Sequence, residues 1–392
     1  MIKRDIAVKI LNDLNYYPVL AIVGPRQSGK TTLAKNIFKD KPYINLEDLE
    51  NRSFAQDDPK GFLAQFPNGV VIDEVQRVPE LLSYIQVIVD KKKQNGMYIL
   101  TGSQNFLLME SVSQSLAGRV SIFNLLPLSV SELKNAQLSK NTIADTLFTG
   151  FYPKLFSEPG IDISGYYSNY IQTYVERDLR LISNIINLSL FRKFLILCAA
   201  RTGQLLNVSS LANDAGVSHK TAREWLSLLE LSMIIYLLRP YHQNFGKRVV
   251  KMPKIYFFDT GLLCNLLNIT DASQVKSHYL KGGIFESFII TEILKYRYNN
   301  AQNPNIYFWR DKLGNEVDLI LEQADKTIAV EIKSGATITK DYFKSLKYYK
   351  KLAGETVANM YVIYGGEENQ KRTQAHIFGW RDLAKELPLR SI

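Results

Sequence analysis

Cysteine is nearly absent from this sequence, with Cys198 and Cys264 the only two in 392 residues. They stand far apart in apolar surroundings, which argues against a disulfide framework and fits buried thiols in a reducing compartment. Histidine is almost as scarce, at four residues, and no Cys/His cluster exists to hold zinc. Long hydrophobic runs are missing too. The most apolar stretch, Trp225 to Leu238, is broken by Glu230 and is shorter than a bilayer span. The opening Met1-Ile2-Lys3-Arg4-Asp5 lacks the apolar core of a signal peptide. No internal repeat and no low-complexity segment is present. These absences predict a folded cytoplasmic protein with no membrane partner.

Basic residues exceed acidic ones, giving a formal charge of +10. That excess suits a polyanion such as DNA, although a basic surface kept for solubility gives the same figure. The length implies about two to four domains.

The most informative stretch is Gly24-Pro25-Arg26-Gln27-Ser28-Gly29-Lys30-Thr31-Thr32, which fits G-x-x-x-x-G-K-[ST]. The apolar strand Val19–Val23 precedes it, and residues 31–38 follow with apolar side chains at helical spacing. A strand, a glycine loop and a helix start gather backbone N–H groups around one point, as a phosphate requires. The loop is expected to bind ATP, with Lys30 on the β- and γ-phosphates and Thr31 ligating Mg²⁺.

Further strands are expected at residues 43–46, 70–72 and 97–101, separated by helical segments, so the sheet is parallel and covered on both faces. Ligands in such sheets sit at the carboxyl ends of the strands. Asp73 and Glu74 lie at such an end. Asp73 is expected to hold Mg²⁺, and Glu74 to polarise the attacking water. Ser103 closes the fourth strand, either touching the γ-phosphate or capping the next helix. An arginine is expected to meet charge on the transferred phosphoryl group. Arg119 is the first candidate and Arg177, between two acids, the second; a neighbouring subunit could supply either.

Residues 207–231 read as helix–turn–helix, with Gly216 in the turn and Ser218 capping a second helix that carries Lys220, Arg223 and Trp225. Two strands follow, at 234–238 and 254–258, joined by a loop with Lys247, Arg248 and Lys251. This is the outline of a winged helix. Its basic side chains could meet DNA, while Trp225 suits a core. Winged helices also serve as protein-interaction modules.

The loop at 24–32, Ile72-Asp73-Glu74-Val75-Gln76, Leu100-Thr101-Gly102-Ser103, Tyr174-Val175-Glu176-Arg177-Asp178-Leu179 and Phe258-Asp259-Thr260-Gly261 together resemble a prokaryotic AAA-type ATPase family. The resemblance implies an α/β fold: a P-loop AAA-type core with a helical lid and a restriction-endonuclease-like α/β domain at the carboxyl end, often in a ring or other homo-oligomer. The expected division is residues 1–130 for the ATPase core, 131–190 for the lid, 191–270 for the winged helix and 271–392 for the nuclease-like domain.

In that last part, Glu286 falls on a helix and Asp318 at the start of a strand. Glu331 and Lys333 share one face of another strand, since side chains alternate. This is similar to the PD-(D/E)xK nuclease pattern. Asp318 and Glu331 are then metal ligands, Lys333 orients the water, and Glu286 completes the shell. The same E-x-K could also be an ion pair on an edge strand. Two functions follow: an ATP-hydrolysing machine acting on DNA, or a nucleotide-dependent switch whose C-terminal domain binds DNA or protein without cutting.

Overall fold

The structure, a computed structural model, describes residues 2–103, 115–175, 187–241 and 250–387. Strands β1 (Val19–Gly24), β2 (Tyr43–Asn45), β3 (Val70–Asp73), β4 (Tyr98–Ser103) and β5 (Val120–Asn124) form one parallel sheet in the order β2-β3-β4-β1-β5. Alternation divides its side chains between two cores. Val19, Ala21, Val23, Ile72 and Leu100 face one, and Leu20, Ile22, Val71 and Ile99 face the other. Both faces are covered, which is why these central strands are unbroken apolar runs. Sequence patterning missed β5. It is an edge strand whose residues, apart from Phe123, are only half-buried, so its hydrophobic signal is weak.

The connections follow the helix signals. Asp48 caps Leu49–Asp57 through Asn51 N, and Asp58 caps Pro59–Ala64 through Gly61 N at 2.9 Å. Pro79 lies just before a helix that begins at Leu81 and ends in a left-handed Lys93 with φ 49°.

Residues 125–231 are helical among those described. Helices Val208–Ala215 and His219–Leu231 are joined through Gly216, at φ 80°, and Ser218 Oγ accepts Thr221 N at 3.0 Å. Trp225 is buried between Phe191 and Phe194, as expected of a core residue. Strands β6 (Ile235–Leu238) and β7 (Lys254–Phe257) pair antiparallel. Lys247 and Arg248 lie outside the described residues; Lys251 is exposed. The hairpin also runs onto the next sheet, where Tyr241 N donates to Phe308 O at 2.7 Å and Phe308 N to Arg239 O at 3.1 Å.

That sheet comprises β8 (Ile306–Arg310), β9 (Glu316–Gln323), β10 (Lys326–Lys333), β11 (Val357–Tyr364), β12 (Gln370–Lys371) and β13 (His376–Gly379), in the order β12-β13-β11-β10-β9-β8. It is mixed: β10, β11 and β13 run parallel and the other pairs antiparallel. Helix Lys281–Asn299 contributes to the core on one face and Lys344–Ala353 to that on the other.

One apolar cluster runs continuously from Leu126 to Leu387 and joins the helical segment to this sheet. Asp259 is a polar pin within it, 2 % exposed. Its carboxylate accepts Phe151 N at 2.8 Å, Tyr167 OH at 2.7 Å and Leu262 N at 2.9 Å, capping helix Thr260–Leu266. Gly150 makes room: a Cβ there would lie 2.1 Å from Tyr167 OH, and its φ is +68°. Asp259→Ala orphans these buried donors, so we expect a loss on the order of 3 kcal/mol, read from urea midpoints. An unchanged midpoint would contradict this structural role.

Candidate functional site

The glycine loop forms where β1 stops. A Cβ on Gly24 would meet Leu125 O at 2.2 Å, so only glycine lets the backbone pass. Gln27 and Gly29 have φ of 61° and 96°, and helix Lys30–Ile37 starts with no side-chain cap on its N–H groups. Those donors are left for an anion. Lys30 Nζ curls back onto Gly24 O (3.0 Å) and Pro25 O (2.9 Å). Ser28 Oγ is buried with no hydrogen-bond partner among the described residues. Thr32 is exposed on the first helical turn. An orphaned hydroxyl, uncapped amides and an ammonium folded back onto the loop carbonyls fit a polyphosphate.

Two supports outside the motif hold the loop. Arg4, buried, donates Nη1 to Ser28 O at 2.8 Å, Nη2 to Leu126 O at 2.6 Å and Nε to Glu132 at 3.0 Å. On the other side Tyr166 OH donates to Gln27 Oε1 at 2.7 Å, and the Arg26 guanidinium lies 5.6 Å from the Tyr174 ring centroid. A cavity of about 450 Å³ opens beside Gln27, lined by Tyr166, Tyr170, Tyr174 and Lys154.

Asp73 ends β3 at 2 % exposure and gathers the site. Its Oδ2 accepts Thr31 Oγ1 at 2.7 Å and Tyr43 OH at 2.6 Å; its Oδ1 accepts Glu74 N at 3.1 Å and the Thr101 hydroxyl. The expected pair for Mg²⁺, Thr31 and Asp73, is therefore in contact. Two oxygens suit Mg²⁺, which takes its remaining ligands from phosphates and water. Glu74 sits in the left-handed region at φ 57°, an uncommon conformation that the surrounding fold must enforce. Burial pushes its carboxyl pKa up, while Lys30 and Arg26 pull it down. Gln76 Nε2 donates to its Oε2.

Ser103 ends β4 directly opposite Gly24, so its backbone is beside the loop. Thr101, two residues earlier on the same strand face, carries the bond to Asp73 that motif reading did not assign; period-two alternation was the available signal. Tyr43 and Arg4 had no local signal. Arg119 is a correction for its own chain. Its backbone O accepts Val19 N at the amino end of β1, away from the loop, and its guanidinium binds Asp90 at 2.5 and 2.9 Å. Arg177 lies outside the described residues.

The carboxyl-terminal residues do converge. Lys333 Nζ bridges Glu331 Oε1 (2.6 Å) and Asp318 Oδ2 (3.2 Å), and Asp318 Oδ2 also accepts Ile332 N at 2.8 Å. Glu286 accepts Tyr256 OH at 2.8 Å and lies 3.6 Å from Lys254 Nζ, which also contacts Glu316. Among the described residues no three His, Cys, Asp or Glu side chains form a metal cage. Lys333 lies against both acids, as the E-x-K strand places it, and Lys254 adds a second ammonium beside Glu286 and Glu316 from another segment. Lys254 was invisible to the spacing argument because it comes from β7, whereas Glu316 lies two residues before Asp318 on the same face of β9, so period-two alternation was its available signal. Burial pushes Glu331 and Glu286 up despite the nearby lysines, with Asp318 adding to both shifts.

Three family models match successive parts of the chain. An AAA domain covers residues 16–134, a domain of unknown function (DUF8612) residues 140–273, and another (DUF4143) residues 281–383. The uncharacterized protein Rv2008c of Mycobacterium tuberculosis is 32% identical over 369 residues, 93% of this chain and 80% of that protein. The uncharacterized protein Mb2031c of Mycobacterium bovis gives the same figures. Among solved structures, the Walker-type ATPase PABY2304 of Pyrococcus abyssi overlays with TM-score 0.43 and 16% identity, covering 68% of this chain and 96% of that one. RuvB of Thermotoga maritima overlays with TM-score 0.31 and 18% identity, covering 60% and 88%.

Because the native Glu331 carboxyl is more basic than in the unfolded chain, the native state retains a proton that the unfolded chain releases above its ordinary pKa of 4.5. Its contribution is complete below that value and is lost as pH rises through the elevated native pKa. We expect stability relative to Glu331→Gln to fall by on the order of 2 kcal/mol between about pH 5 and pH 8.5, read from urea midpoints. A rise would reverse the assignment.

Proposed function

This chain belongs to the family of the mycobacterial proteins Rv2008c and Mb2031c, an AAA domain followed by two domains of unknown function, and from that premise we propose that it is a Mg²⁺-dependent ATPase working as a nucleotide-driven switch. The observation that carries this reading is the Asp73 carboxylate, which collects Thr31, Tyr43 and Thr101 beside the phosphate loop.

ATP would enter with its β- and γ-phosphates against the N–H groups of residues 27–31. Lys30 would exchange the carbonyls of Gly24 and Pro25 for phosphate oxygens, a move of one flexible side chain. Thr31 and Asp73 would hold Mg²⁺, which supplies charge neutralisation on the phosphates. Glu74 would accept a proton from the attacking water, and its raised pKa suits a base that must also release that proton. Ser103, at the end of β4, would meet the γ-phosphate. Arg119 is turned away from the loop of its own chain, so its role would require a second copy, and Arg177 remains the other candidate.

For the partner we propose DNA, met by the exposed edge of helix His219–Leu231. Lys220 and Arg223 are exposed there, whereas Trp225 on the opposite side is buried. Net charge supports the same reading. We propose binding without cleavage, since ammonium groups fill the carboxylate cluster that a metal-dependent nuclease would leave to its ion.

Lys30→Ala should abolish measurable ATP turnover. Glu74→Gln should retain ATP in calorimetry yet turn over at least about 100-fold more slowly, the usual scale for losing a general base. A chain that retains no adenine nucleotide would end the proposal. Duplex DNA should raise turnover at low salt, and Lys220→Glu with Arg223→Glu should remove that stimulation while leaving basal turnover intact. Equal turnover with and without DNA across a salt series would remove DNA as the partner.

A further inference from the structure

We propose that Lys254 is a built-in cation that occupies the carboxylate cluster of the C-terminal sheet and keeps divalent metal ions out. The lysine is 3 % exposed, on a strand whose other residues, Ile255, Tyr256 and Phe257, are apolar or aromatic and fully buried. A buried ammonium is costly unless its charge is matched, so an apolar residue would be the default there. Its Nζ lies 3.6 Å from Glu286, contacts Glu316 and stands 5.7 Å from the Phe308 ring centroid. Lys254 thus takes the place between acids that a metal ion would take.

The cluster behind it is built for more positive charge than it holds. Glu286, Glu316, Asp318 and Glu331 supply four carboxylates. Lys333 serves Asp318 and Glu331, and Arg310 serves Glu316 at 2.8 Å. Glu331 Oε2 is left over: the residue is 4 % exposed, and this oxygen has no hydrogen-bond partner among the described residues. A buried carboxylate oxygen with no donor is what a cation would coordinate.

The plug and the acids come from different parts of the chain. Lys254 is on β7, within the segment matched at 140–273, whereas all four acids lie in or beside the segment matched at 281–383. The hairpin is fastened to the edge strand β8 by Tyr241 N to Phe308 O at 2.7 Å and Val250 N to Arg310 O at 3.2 Å. Lys254 remains in the cluster while those edge bonds hold. A divalent ion entering with Lys254 in place would face a fixed like charge at close range.

Electron paramagnetic resonance of the full, nucleotide-free chain during Mn²⁺ titration tests this, because bound Mn²⁺ is lost from the free-ion signal. The site is defined as the part of Mn²⁺ uptake that Asp318→Asn removes. In wild type we expect no such uptake. In Lys254→Met we expect one Mn²⁺ per chain, bound about tenfold or more tighter than any ion in wild type, and lost again on adding Asp318→Asn. Lys254→Gln, whose amide can keep a hydrogen bond to Glu316, is the second variant should the methionine destabilise the fold. The proposal is overturned if wild type already holds an Asp318-dependent Mn²⁺. It is equally overturned if both folded Lys254 variants take up none. The wild-type titration decides on its own if neither variant folds.

Discussion

A single buried carboxylate organises the amino-terminal half. Asp73 accepts hydroxyls from Tyr43 on β2, Thr101 on β4 and Thr31 on the helix after the phosphate loop. At 2 % exposure its oxygens depend on those donors for their hydrogen bonds. Three elements are thereby tied to the end of a fourth. The same oxygens are those Mg²⁺ would share with Thr31. On the proposed reading, a metal–nucleotide complex would rearrange bonds that also join these strands. A local ligand can in this way affect the ends of several strands.

The loop itself is braced from outside the sheet. Arg4 ties Ser28 O and Leu126 O to Glu132, and Tyr166 holds Gln27 from the helical segment. From there the tyrosines continue inward: Tyr166 packs on Tyr167 with centroids 5.0 Å apart, and Tyr167 donates to Asp259. Asp259 in turn caps a helix in the apolar cluster that reaches the C-terminal sheet. Contacts of this kind give a contiguous physical connection from phosphate loop to distant sheet.

At the far end the governing physics is charge matching around the buried Lys254. Four carboxylates face Lys254, Lys333 and Arg310, and one carboxylate oxygen is still unpaired. Burial alone would neutralise Lys254, but the acids around it outweigh that and hold it charged. The hairpin that carries it also covers the edge of β8, so one element both closes a sheet edge and closes a site.

Local chemistry made much of this legible. The glycine loop, the apolar runs of β1 and β3, the cap at Ser218, and the alternation placing Glu331 with Lys333 are short-range features, and all were readable in order along the chain. Asp73 and Thr31 could be paired because a motif implies their meeting. What stayed hidden depends on separation: Tyr43 lies 30 residues from Asp73, Arg4 lies 128 from Glu132, and nothing in the intervening letters encodes the distance between them. Edge strand β5 was missed because half its surface remains wet and its pattern is diluted. For the C-terminal acids, spacing identified the residues but not their company. Only the folded chain brings Lys254 from another segment into their midst. A carboxylate's role is set by the charge beside it, and that charge is a property of the tertiary structure rather than of the motif.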